Sequence, residues 1–176
     1  MKKLIIFAAA LMFHAFAIAE SSNNSELNNV EIVHIVMIAN QIHIENGELA
    51  EKKATNKDVH ALARRLIKES TDVNKQAKDL AAKLHLAPEN NTISKSLKAD
   101  KKSFDKLKNL SGREFDTAYI EAEIKLQQKL IDVVDLQLVP AVKNEELKVL
   151  LVKVSTALAS HLEYAKTILK SLSDKR

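Results

Sequence analysis

The sequence predicts an all-α fold, and three observations carry that expectation. Four long segments repeat apolar side chains at intervals of three and four residues, the period of a helix with one face hidden from water. Only two glycines and two prolines stand in 176 residues, little material for the turns of a β fold. There is no cysteine, so disulfides, thiolate nucleophiles, zinc–thiolate sites and iron–sulfur ligation are excluded, and apolar packing alone must hold the domain.

Residues 1–19 read as an export leader. Lys2 and Lys3 open it, an apolar run from Leu4 to Ala17 follows with His14 as its one polar interruption, and Ala17-Ile18-Ala19 offers a small-x-small cleavage pattern. The expected mature chain begins at Glu20 and works in the periplasm or outside the cell, with association at the outer membrane as a variant. The run is too short for a membrane span, and no transmembrane segment is expected after it. Residues 20–29 form a Ser/Asn-rich linker.

The bundle domain is expected over residues 30–172, followed by a short tail over 173–176. The first helix runs from about Asn29 to Ala54 on a stripe of Ile32, Ile35, Val36, Ala39, Ile42 and Leu49. Thr55-Asn56 caps the second, which runs from Lys57 to about Leu86 on Val59, Leu62, Leu66, Val73, Ala77, Leu80 and Leu84. Pro88 closes that section. A short amphipathic helix between Ile93 and Leu110 forms the long connection, with Leu97, Phe104 and Leu107 inward. Ser111-Gly112 breaks the chain, and a third long helix runs from about Arg113 to Val139, where Pro140 ends or kinks it. Asn144 caps the fourth, which reaches about Leu172. A short first connection and one long crossover describe the ferritin-like version of an antiparallel four-helix bundle, with an extra helix in the crossover.

The chain carries a formal net charge of +4, and loss of Lys2 and Lys3 would leave +2. Acidic and basic residues alternate, so no nucleic-acid partner is expected; even the basic stretch Lys98 to Lys108 is broken by Asp100 and Asp105. There is no GxGxxG, no GxxxxGK[ST] and no GxSxG pattern. No catalytic set is predicted. The sequence is silent on oligomeric state.

Sites in helix bundles are built from polar side chains that point inward. Three ionisable residues interrupt the stripes: Glu45, Glu69 and His161. Carboxylate and imidazole suit iron, manganese or zinc, so these three are the candidate ligands, with Tyr119, Glu123 and Gln127 on or beside the third stripe to flank them. The competing reading leaves the two glutamates at the stripe edge in water and makes His161 a packed, hydrogen-bonded histidine. The di-iron pattern asks for Glu-x-x-His on two helices, and only Glu31-x-x-His34 matches it. His43, His60 and His85 read as surface or boundary residues.

Three stretches resemble a bacterial family of exported, ferritin-like four-helix domains of unknown function, often labelled predicted outer-membrane proteins. Ile44-Glu45-Asn46-Gly47-Glu48-Leu49-Ala50 is similar to its Glu-x-x-Gly-x-Leu-Ala opening with one residue fewer between Glu and Gly. Phe115-Asp116-Thr117-Ala118-Tyr119 matches its Phe-Asp-x-x-Tyr, and His161-Leu162-x-x-Ala165 its closing motif. Glu69-Ser70 stands where the family usually has Asp-His, and Gln127 where it usually has a histidine. The resemblance therefore implies weak metal binding or none. It implies fold and export; the function expected is a non-enzymatic binding or envelope-stress module, the alternative being a degenerate metal protein or oxidoreductase.

Overall fold

The computed structural model describes residues 27–174. The expected leader, and the linker as far as residue 26, lie outside them. Among the described residues the chain is all helical, with no strand. Four long helices, α1 (Asn29–Lys53), α2 (Lys57–Lys83), α5 (Gly112–Val133) and α7 (Glu145–Asp174), enclose one core. The crossover carries α3 (Thr92–Asp100), α4 (Lys102–Asp105) and a 3₁₀ turn (Lys106–Asn109). A short α6 (Val139–Ala141) precedes α7. None of the described helices is long and apolar enough to cross a membrane.

Local chemistry sets the ends. Asn28 and Glu31 form a capping box at α1: the Glu31 N–H donates to Asn28 Oδ1 at 3.0 Å and the Asn28 N–H to Glu31 Oε2 at 3.1 Å. Glu31 is thus occupied as a cap. Its predicted pattern partner His34 lies within 3.2 Å of Asn90 Oδ1 instead. Asn56 caps α2 and Asn144 caps α7, as their positions in the sequence predict. α2 stops earlier than predicted. His85 takes a left-handed conformation (φ 52°), and bonds from Leu86 N to Ala81 O and from His85 N to Ala82 O close the helix in a Schellman turn.

Pro140 does more than end its helix. Its ring would collide with the carbonyl of Leu136 in a regular α-helix, and it lacks an N–H. The chain widens into a π-helical turn over Val134–Leu138, where the Val139 N–H reaches back to Val134 O, and helix persists to Ala141.

Ties between helix ends fix the connectivity. Lys83 Nζ meets Glu146 Oε1 at 2.5 Å, joining the end of α2 to the start of α7. Arg113 donates to Leu172 O, joining the start of α5 to the end of α7. The Asp116 carboxylate accepts from Thr55 N (3.0 Å), Asn56 N (2.9 Å) and Thr55 Oγ1 (2.6 Å), so α5 starts beside the α1–α2 turn. The crossover therefore returns the chain along the length of the bundle. α1 packs on α2 and α5, as does α7, and every neighbour is antiparallel. Gly47 allows α1 and α2 to approach closely: a Cβ there would stand 2.7 Å from Ile67 Cγ1 and 3.1 Å from Ala63 O.

Candidate functional site: a polar layer at mid-bundle

About three turns above the Asp116 clamp, each long helix places a polar side chain at the same height. α1 supplies His43, α2 supplies Glu69, α5 supplies Glu123 and Gln127, and α7 supplies His161. Tyr119 sits one turn below Glu123 on the same face, stacked on Phe115 with ring centroids 5.9 Å apart and edge-on to Phe104.

The α1–α5 half is buried. Glu123 is 0% exposed and His43 3%. The Gln127 side-chain amide stands between them, with Nε2 3.2 Å from His43 Nε2 and 3.4 Å from Glu123 Oε2. His43 Nε2 and Glu123 Oε2 are 3.9 Å apart. Burial pushes the Glu123 carboxyl up to about 8, against the opposing pull of Gln127 and Tyr119. Burial also drives His43 down to about 3, and a protonated His161 would add to the effect. The Tyr119 hydroxyl is raised well above its ordinary range by burial, then by Glu123. At neutral pH these groups are therefore a neutral acid, a neutral imidazole and a neutral phenol. Gln127 donates to an unprotonated His43 Nε2, which puts the His43 proton on Nδ1.

The α2–α7 half meets solvent. His161 Nε2 lies 2.8 Å from Glu69 Oε2, and the second Glu69 oxygen accepts from Arg65 Nε at 2.7 Å. Arg65 also reaches Ser160 Oγ at 3.2 Å. Burial favours a neutral Glu69, but Arg65 and His161 outweigh it and hold the carboxyl below its usual value. Burial lowers His161 despite Glu69. The contact is accordingly a hydrogen bond from neutral imidazole to carboxylate, and it leaves the His161 Nδ1 lone pair buried without a partner. Glu123 Oε1, Gln127 Oε1 and the Tyr119 hydroxyl are also buried with no partner in full hydrogen-bond geometry, although Tyr119 and Glu123 are near enough to shift each other's titration. A small cavity of about 20 Å³, room for about one water, lies beside His43 and Asn40 against the π-helical turn.

Of the three predicted ligands, the structure joins Glu69 to His161 and leaves Glu45 apart. Glu45 faces the crossover, paired with Lys101 and accepting from Gln41 Nε2 at 2.9 Å. The reason is the phase of α1: its inward line runs Val36, Asn40, His43, Gly47, Ala50, so His43, read as a boundary residue, is a core member. A chain of three- and four-residue steps through His43 was the available signal. On α5 the four-residue steps Tyr119, Glu123, Gln127 put all three inside, where the sequence reading placed the last two beside the stripe. Among the described residues no three of His, Asp and Glu converge closely enough to hold a metal ion.

No curated protein and no solved structure gives a significant match to this chain. The model of a domain of unknown function, DUF4142, matches residues 15–168, and the chain belongs to that family.

Proposed function

We propose that this protein is an exported, non-enzymatic binding or envelope-stress module built on a ferritin-like four-helix bundle. The leader pattern over residues 1–19 supports export. Antiparallel neighbours with one long crossover between the second and third long helices support the ferritin-like comparison. The observation that carries the non-enzymatic reading is the buried α1–α5 half of the polar layer. Its best-placed acid, Glu123, is fully buried, held neutral, and faces Gln127 and His43 instead of a substrate-sized opening.

A second reading, a degenerate transition-metal site, draws support from the 2.8 Å Glu69–His161 contact and the buried, unpartnered His161 Nδ1. Glu69 and His161 would be two of its donors; among the described residues no third His, Asp or Glu joins them, and Glu45 stands apart.

Elemental analysis of purified protein after exposure to iron, manganese or zinc separates the two. The first reading expects less than stoichiometric metal; stoichiometric metal that disappears in His161→Ala would establish the second. Cell fractionation tests export: recovery in the periplasmic or secreted fraction is expected. Retention of the full leader in the cytosol contradicts that part of the proposal.

A further inference from the structure

A cleft of about 420 Å³ opens between the crossover and α5. Its floor is apolar: Ile42 of α1, Phe104 and Leu107 of the crossover, and Ala122 and Leu126 of α5. Its rim is cationic, with Lys101, Lys106, Lys125 and Lys129 against one acid among the described residues, Glu121. Lys101 is engaged by Glu45, and Lys129 reaches Ser96 Oγ at 3.1 Å. Lys106 and Lys125 carry no hydrogen bond or ion pair among the described residues; Glu121, one turn before Lys125, does not pair with it.

Three other clefts lack this division. One of about 440 Å³ at the start of α5 is lined by Arg113, Glu114, Thr117, Ala118 and Glu121, with no large apolar side chain. The cleft on the far side of the crossover, about 290 Å³, includes the carboxylates of Glu45 and Asp105. The groove between α2 and α7, about 280 Å³, includes those of Asp79 and Glu146. The cleft against α5 joins its apolar floor to two lysines, Lys106 and Lys125, that have no hydrogen bond or ion pair among the described residues.

We propose that this cleft binds one molecule of an anionic amphiphile, with its hydrocarbon part on the Phe104–Leu107–Leu126 floor and its carboxylate or other anionic head between Lys106 and Lys125. The volume lies within the range of small-ligand pockets. Apolar contact supplies the affinity for the tail, and charge complementarity fixes its direction and excludes cationic analogues. An ammonium is a flexible point charge, suited to a head of loose geometry. The inference concerns a site separate from the polar layer and does not depend on how that layer is read.

Calorimetric titration with monomeric dodecanoate tests it. Saturable one-to-one binding is expected, with dodecyltrimethylammonium at least tenfold weaker and acetate without measurable affinity. The double variant Lys106→Glu/Lys125→Glu and the floor-filling Ala122→Phe should each weaken dodecanoate at least tenfold, while Lys153→Glu in the α2–α7 groove leaves it unchanged. Helical circular dichroism identifies any variant that fails to fold, and the double lysine variant lies on the surface, where folding is least at risk. Equal affinity for the cationic and anionic amphiphiles, or equal affinity in the wild type and a folded double variant, overturns the proposal. So does sedimentation with phosphatidylglycerol vesicles when dodecanoate does not bind, since the head-group source would then be a bilayer surface.

Discussion

At the scale of single residues, the sharpest departure from the sequence reading concerns which polar groups face inward. Glu45 and His43 are two positions apart, about 200° around a helix, so only one can lie in the core. α1 is apolar on several sides (Ile32, Val33, Ile35 and Val36 are all buried), and that breadth hides the phase of its inward line. The sequence therefore suggests Glu45, and the fold selects His43. Glu69 and His161 were legible because α2 has one narrow stripe and His161 falls on an unbroken series from Val154 to Ile168. Asp116 shows a residue whose role appears only in three dimensions. It lies four residues after a Gly-containing break and beside the apolar stripe of its helix, and it is 1% exposed and ties down the α1–α2 turn. Asp116→Ala orphans two backbone N–H groups and the Thr55 hydroxyl. Charge-assisted hydrogen bonds of this kind predict a loss of about 3 kcal/mol, read by denaturant unfolding.

At the scale of elements, helix existence and most caps followed from pattern and capping chemistry. The exceptions are places where a local rule was outweighed. α2 ends at a left-handed His85 because the following backbone closes a Schellman turn, which no residue type announced. Pro140 produced a π-helical turn because packing of Val134 and Leu138 into the core keeps the segment helical past the steric obstacle. The α1–α2 contact depends on the absence of a side chain at Gly47. Alanine has the higher helix propensity by about 1 kcal/mol, so propensity alone predicts that Gly47→Ala stabilises. The close approach predicts the opposite. Ile67 and the Ala63 carbonyl must move to admit a methyl group, and a net loss of about 1 to 2 kcal/mol is expected in thermal or denaturant unfolding.

At the scale of the whole molecule, the bundle encloses two groups whose titration opposes each other. Glu123 binds its proton more tightly in the folded chain, about 8 against an ordinary 4.5. Its contribution to stability is complete below the ordinary value and is lost as pH rises toward 8. His43 is displaced the other way, to about 3 from 6.5. Its contribution is complete above 6.5 and is lost as pH falls toward 3. Between pH 6.5 and 8 the Glu123 effect acts alone, at about 1.4 kcal/mol per pH unit, so stability should fall by about 2 kcal/mol across that interval. Glu123→Gln keeps a neutral amide in the same volume and should abolish the fall. Unfolding at the two pH values checks both statements. The all-α fold class could be read from periodicity. The polar layer could not, because it depends on the mutual rotation of four helices, which no single helix encodes.

The proton on Glu123 decides whether the buried α1–α5 half of the polar layer is neutral. Infrared spectroscopy at pH 7 should reveal the carbonyl stretch of a buried, protonated carboxylic acid, and Glu123→Gln should erase that band. A wild-type spectrum at pH 7 with only ionised carboxylate bands would contradict the account.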